Sequence, residues 1–356
     1  MRLRPFSFTC AITLVVATVT LAFTSAKAQT AHGHWLYDPK GIATPGFVYD
    51  VPPAGFDPLT ASDIELQQWG FPPRPKSGDP VDYARWKRMA TSTRITPQLK
   101  FTNIYHGPAR NPKIGSAVSN ATAATSENWS GYVVTEADGT FSGNNPMSYG
   151  IWTVPAVAPG SGSCSSATYA SSQWVGFDGW TSSDVLQAGT EANCGNSDYF
   201  WYEWYPNAET ELSLPVGPGD FVTVRVYYCG SCSPQGSANL ENNVTNQTTS
   251  IGFNPPSGTT YEGNSAEWIM ERPTVDGALA DLPNYATMYF SAFAEVGTGN
   301  YYEPGYVPTG TILQVSMTCP PWNPSSACNT KYPLISIAYA AIGTDTFYVS
   351  AANAAQ

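Results

Sequence analysis

Carboxylates set into aromatic strands are the feature of this 356-residue chain that most directly suggests chemistry. In the run Tyr199-Phe200-Trp201-Tyr202-Glu203-Trp204-Tyr205, a period of two places Tyr199, Trp201, Glu203 and Tyr205 on one face and Phe200, Tyr202 and Trp204 on the other. Glu267, Ile269 and Glu271 share a face opposite Ala266, Trp268 and Met270, and Gln187 shares one with Val185 and Gly189. An aromatic groove holding carboxylates suits two kinds of catalysis. A glycosidase flanks the scissile bond with two carboxyl groups, which Glu203 and Glu267 could supply. An acid peptidase uses a carboxyl group to activate water and protonate the leaving amine, while a neutral donor holds the oxyanion. Gln187 fits that donor role, because an amide NH2 stays neutral at any working pH. A carbohydrate-binding protein would use the same aromatic face without turnover. Plainer readings compete: a strand Glu is commonly a surface residue, aromatic runs are commonly core, and Asp178-Gly179 is a turn signal. Composition and spacing leave these alternatives open.

Other chemistries are excluded more firmly. All three histidines (His32, His34, His106) precede residue 127, and beyond that point the only basic residues are Arg225, Arg272 and Lys331. That region therefore has no Ser-His-Asp triad, Cys-His pair or His-rich zinc site of its own, and no metal or cofactor is expected. The chain contains no Asp-Thr-Gly or Asp-Ser-Gly, which disfavours a pepsin-like aspartic peptidase. The net charge of −11 argues against nucleic acid as a partner. That charge is unevenly spread: residues 29–126 carry +3 and residues 127–356 carry −17.

Residues 1–28 read as a secretory signal peptide, with Arg2 and Arg4, an apolar run over 8–23 and Ala26-Lys27-Ala28 as the cleavage site. The run is short for a membrane span, so no membrane anchor is expected; extracellular release and periplasmic retention look alike at this level. Six cysteines remain in the exported chain, and sequential disulfides Cys164–Cys194, Cys229–Cys232 and Cys319–Cys328 are expected.

The elements that must position these groups differ along the chain. Residues 29–126 read as a basic, loosely structured, partly helical leader. Ser62 and Glu65 form a capping box before a short helix that ends at Gly70, and Asp79 caps a second helix over 80–90 with Arg85, Lys87 and Arg88 on a basic face. Residues 116–126 are small and polar and read as a cleavable linker. From 127 onward the runs 132–135, 150–154, 173–177, 184–188, 199–205, 221–228, 266–271, 287–293, 311–317 and 334–342 are β-rich and separated by Gly, Pro, Asn and Ser. The expectation is an all-β catalytic domain over 127–356, an antiparallel sandwich or jelly roll whose curved sheet presents a groove. Nothing in the sequence signals an oligomer, and a monomer is expected.

Five segments in order, Asn128-Trp129-Ser130-Gly131-Tyr132, Trp174-Val175-Gly176-Phe177-Asp178-Gly179, Val185-Leu186-Gln187-Ala188-Gly189, Tyr202-Glu203-Trp204-Tyr205-Pro206 and Ala266-Glu267-Trp268-Ile269, resemble the motifs of the glutamic peptidases, or eqolisins. The leader run Leu66-Gln67-Gln68-Trp69-Gly70-Phe71-Pro72-Pro73-Arg74 is similar to pro-regions of bacterial members. The resemblance implies a concanavalin-like jelly-roll sandwich of two antiparallel sheets and acid endopeptidase activity on protein or peptide substrates. It also implies a catalytic dyad of Gln187 and Glu267, and a cleft lined by Trp129, Trp174, Asp178, Glu203 and Tyr205. Phe177 and Trp268 depart from the residues common at their positions. The charge split then reads as a zymogen device, a basic pro-region inhibiting an acidic body and removed near residues 117–127.

Overall fold

Alternation along the strands produces two antiparallel sheets packed face to face. The structure, a computed structural model, describes residues 31–351 apart from 77, 144, 161–162, 165–168, 298 and 319–333. The expected signal segment and the expected Cys319–Cys328 bridge lie outside the described residues. In the first sheet the strands run in the order Leu99–Phe101, Thr210–Leu212, Tyr199–Tyr205, Val185–Asn193, Ala170–Phe177, Ser265–Glu271, Trp129–Thr135, Thr311–Thr318, Ala121–Ser126 and Lys113–Val118. Among the described residues of this sheet, only the pairing of Thr311–Thr318 with Ala121–Ser126 is parallel. The second sheet runs Gly33–Leu36, Gly46–Tyr49, Gln247–Phe253, Gly236–Asn242, Phe221–Tyr228, Met147–Thr153, Met288–Val296, Thr346–Ala351 and Leu334–Ala338. Leu334–Ala338 also pairs with the end of Thr311–Thr318 through a register shift, so the ladder turns the corner between the sheets.

The core lies between them. Tyr132, Val134, Val175, Phe177, Leu186, Ala188, Ala266, Trp268 and Met270 of the first sheet meet Trp152, Val222, Val224, Leu240, Phe290 and Phe347 of the second, all buried. Burying each large side chain contributes about 1.5–3 kcal/mol. The expected two-sheet sandwich is thus observed, as are the Cys164–Cys194 and Cys229–Cys232 bridges.

Several strands lie outside the expected runs, among them Thr210–Leu212, Thr346–Ala351 and the pair Gly236–Asn242 and Gln247–Phe253. In that last pair, the Asn and Ser content masks the β pattern, yet the two form a hairpin whose turn places Asn246 at φ 55°.

The leader is far better ordered than its composition suggests. Ser62 and Glu65 form the reciprocal capping box, Asp79 accepts from the Val81 amide, and the helices Asp63–Gln68 and Pro80–Thr91 bury Leu66, Trp86 and Ala90 against Phe56 and Phe71. Its strand Gly46–Tyr49 extends the second sheet, and Leu99–Phe101 extends the first. These short apolar runs cover sheet edges that would otherwise stand open, and that stitches the leader to both sheets. The presumed linker also proves to be structure. Lys113–Val118 is an exposed edge strand, whereas Ala121–Ser126 lies inside the sheet with Ala124 and Ser126 buried, because small side chains let the chain pack closely there.

Candidate active site

The site is a single row of residues across the outer face of the first sheet. Glu203, Gln187, Gly176, Glu267, Val133 and Leu313 are successive register partners on neighbouring strands, so their side chains leave the same face. Gln187 and Glu267 stand on either side of Gly176. With strands about 4.8 Å apart their backbones are roughly 10 Å apart, and no side chain intervenes. The glycine is required: a Cβ at position 176 would lie 2.5 Å from the Leu186 carbonyl oxygen and 3.0 Å from the Gln187 Cβ. Glu203 and Glu267, by contrast, are roughly 14 Å apart at the backbone with Gln187 between them.

Aromatics flank the row. Trp129 and Trp174 pack edge to face at 5.0 Å, and the Trp174 indole N–H donates to Glu271 Oε2 at 2.7 Å. With Val185, Trp201, Ile269 and Trp180 they make a second apolar cluster on the outer face. Glu203, Glu267 and Gln187 are completely buried. Gln187 Oε1 and both Glu267 oxygens have no hydrogen-bond partner in the protein, an unusual state for buried polar atoms. Burial pushes the Glu267 carboxyl well above the usual carboxylate range, opposed by the nearby Ser265 hydroxyl and reinforced by the charges of Asp178 and Asp184. Burial also raises Glu203, Glu191 and Glu271 well above that range.

The cover over this face is the leader. Ile104 O accepts from the Glu209 amide, and the chain then crosses the row to Ala109, whose N–H donates to the Gly179 carbonyl, and to Arg110, whose N–H donates to Asn128 Oδ1. Between these anchors, the His106 carbonyl accepts a hydrogen bond from Gln187 Nε2, and the His106 N–H donates to Glu203 Oε2 at 2.9 Å. Gly107 lies against the half-buried Tyr205 ring. The His106 imidazole is completely buried and stacks on Trp201 at 3.8 Å, with Nε2 2.8 Å from Glu209 Oε2. Burial lowers the His106 pKa, and its contact with Glu209 opposes that shift.

Among the expected site residues, Gln187, Glu267, Glu203, Trp129 and Trp174 lie together on this face, with Tyr205 at its rim. Asp178 is differently employed. Its left-handed backbone (φ 68°) turns the chain, and its carboxylate accepts from the amides of Glu262, Gly263 and Asn264, so it holds a neighbouring turn. Its pKa is raised to about 6 by burial against those three bonds. Three carboxylates beside the row, Glu191, Glu209 and Glu271, were not assigned a role from sequence. Alternation places Glu191 on the face of Gln187, whereas Glu209 and His106 sit in irregular chain with no periodic signal. A metal was not expected, but His106, Glu191 and Glu209 offer ligand atoms within 4.8 Å of one another. The short Nε2–Glu209 contact accounts for that group as a hydrogen-bonded pair.

A fold of this kind, with a Gln/Glu row crossed by a peptide segment, has recognisable relatives. The model of the Peptidase A4 family matches residues 127–319. The chain is 28% identical over 238 residues to Aspergillopepsin-2 of Aspergillus niger, covering 61% of this chain and 81% of that protein. It is 32% identical over 155 residues to Scytalidopepsin B of Scytalidium lignicola, covering 43% and 54%. A crystal structure of scytalido-glutamic peptidase with a transition state analog inhibitor superposes with a TM-score of 0.49 at 19% identity, over 63% of this chain and 98% of that one. The chain belongs to the Peptidase A4 family, the glutamic peptidases, and is a peptide hydrolase. That membership sets aside the glycosidase and carbohydrate-binding readings.

Proposed function

We propose that this is an exported acid endopeptidase, made as a zymogen, in which Gln187 and Glu267 form the catalytic dyad. The observation that carries the proposal is the leader's own peptide lying across the dyad with its His106 carbonyl on the Gln187 amide. A substrate peptide laid along the same path presents its scissile carbonyl to that amide. Glu267 takes a proton from water as the water oxygen attacks the carbonyl carbon, and Gln187 Nε2 donates to the oxygen that becomes negative. Glu267 then passes the proton to the departing nitrogen, and the C–N bond breaks.

Residues 1–28 act as the export signal in this reading, and 29–126 as the inhibitory leader. The leader's positive charge meets the body at defined pairs: Arg88 with the buried Glu241 at 3.2 Å, Lys100 with Glu211 at 2.6 Å and Arg85 with Asp345 at 3.9 Å. The exposed hairpin around Ser119 and Asn120 is open to cleavage.

The test is digestion of casein from pH 2 to 7 by the secreted chain, beside Glu267→Gln and Gln187→Ala, with sequencing of the product N-terminus. Acid proteolysis that disappears in the first variant and falls about 100- to 1000-fold in the second is the expected result. A chain that remains full length while cleaving protein at acid pH overturns the zymogen.

A further inference from the structure

We propose that the cavity between the leader and the outer face of the second sheet binds a small zwitterion with an apolar side chain, a free amino acid or dipeptide, and that this ligand holds the leader on the body. The cavity lies on the opposite sheet from the dyad, and its chemistry stands apart from catalysis. Only the identification of the ligand with a product of hydrolysis, and of its effect with delayed maturation, rests on the function proposed above.

The cavity measures about 410 Å³, within the range of small-molecule sites, and both parts of the chain build its walls. The leader supplies Tyr49, Gln67 and Phe71, and the body supplies Arg225, Tyr227 and Glu295. Two of these carry polar atoms that the protein leaves unanswered. Arg225 is only 3% exposed, yet its Nε has no hydrogen-bond partner. Its guanidinium lies 5.2 Å over the Tyr149 ring, while nearby carboxylates serve other cations: Glu241 pairs with Arg88 at 3.2 Å, and Asp63, on the cavity wall, with Arg74 at 2.7 Å. Glu295 Oε1 is likewise buried without a partner.

The sheet sets the distance between these two groups. Tyr227, Met147 and Glu295 are successive register partners on three strands, and Arg225 stands two residues before Tyr227, so the Arg225 and Glu295 backbones are roughly 12 Å apart. Burial raises the Glu295 pKa and the Lys76 and Arg225 charges oppose that rise, yet Arg225 and Glu295 form no ion pair. An amino acid or dipeptide carries both complements, a carboxylate for Arg225 and an ammonium for Glu295, with a side chain to place among the Tyr49, Phe71 and Tyr227 rings. A simple anion answers only the arginine, and an apolar molecule answers neither group.

Because leader and body each form part of the wall, the occupied cavity exists only in the joined chain, and the ligand stabilises that form by mass action. Every fragment released by peptide hydrolysis ends in the same carboxylate and ammonium. Accumulating product therefore slows removal of the leader from the next precursor, acting on the sheet remote from the dyad.

The test is calorimetric titration of the full-length secreted chain at neutral pH with L-phenylalanine, phenylpropionate, which lacks the ammonium, phenethylamine, which lacks the carboxylate, and glycine, which lacks the ring. The expected result is one saturable site for L-phenylalanine and binding about tenfold or more weaker for each of the other three, the size of one lost charge-assisted contact or one unburied ring. Glu295→Gln, nearly the same shape as wild type, should weaken L-phenylalanine and spare phenylpropionate; Arg225→Gln should weaken L-phenylalanine and spare phenethylamine. After a shift to acid pH, excess L-phenylalanine should slow loss of the leader in wild type and not in Glu295→Gln, whereas product acting at the dyad would slow both. No binding, or equal binding of all four probes, overturns the site and leaves the peptidase standing. Slowing that is absent, or equal in Glu295→Gln, overturns the regulation. A chain that binds L-phenylalanine as expected and cleaves no protein at any pH supports the site and overturns the peptidase reading together with the feedback.

Discussion

The two faces of the first sheet are equally buried and built of opposite materials. Toward the second sheet lie Val175, Phe177, Leu186, Ala266, Trp268 and Met270, an apolar layer whose burial is permanent. Toward the leader lie Glu203, Gln187, Glu267, Glu191 and Glu271 among tryptophans, all with essentially no exposure. The first burial is a property of the sandwich. Over Gln187 and Glu203 the cover is the leader, whose His106 backbone bonds both, and burial on this face pushes the Glu203 and Glu267 carboxyl pKa values upward. The difference teaches that one strand can serve stability and chemistry at alternate residues, as Ala266, Trp268 and Met270 serve the core and Glu267 and Glu271 the outer face.

The sharpest way to break the comparison is to mutate adjacent residues on one strand. Glu267→Gln should abolish acid proteolysis while leaving the protein folded. Trp268→Ala should cost about 3–5 kcal/mol of stability, measured by denaturant unfolding, through the cavity it leaves in the core. Equal destabilisation by both changes would erase the distinction between the faces.

The pH dependence sharpens it further. A buried carboxyl whose pKa is raised in the folded state binds more protons folded than unfolded, so its contribution to stability is greatest below its unfolded pKa and is lost as pH rises through the folded value. Asp178, raised from 3.8 to about 6, and Asp184, raised from 3.8 to about 7, place that loss between about pH 4 and 7, and Glu267 acts in the same direction. The melting temperature of the closed chain should therefore fall from pH 4 to pH 7. Glu267→Gln, which removes one such group, should be relatively more stable than wild type at pH 7 than at pH 4. A melting temperature that rises over this interval contradicts the assignment.

The smallest effects belong to the leader's surface pairs. Lys100→Ala removes an exposed pair and should change stability by less than about 1 kcal/mol. Arg88→Ala leaves the buried Glu241 without its cation and should cost more, visible as earlier release of the leader on acid titration. If the two variants behave alike, burial of Glu241 has no bearing on how the leader is held.

Alternation is local, and much that depends on it was legible in the sequence: the strand-rich body, the face shared by Glu267, Ile269 and Glu271, and the face shared by Trp201 and Glu203. Capping chemistry is equally local, and the helix starts at Ser62 and Asp79 followed from it. The ordered motifs around Gln187 and Glu267 carried the family. Only the tertiary structure decided that Gly176 stands between those two residues, since register between strands is set by packing over the whole sheet. It also decided that the leader adds strands to both sheets and that the presumed linker is a hairpin. The same holds for the pocket around His106, whose partners Trp201, Glu191, Glu209 and Glu271 come from distant parts of the chain. No pattern along a sequence encodes a meeting of that kind, because it is produced by the crossing of irregular chain over a folded sheet.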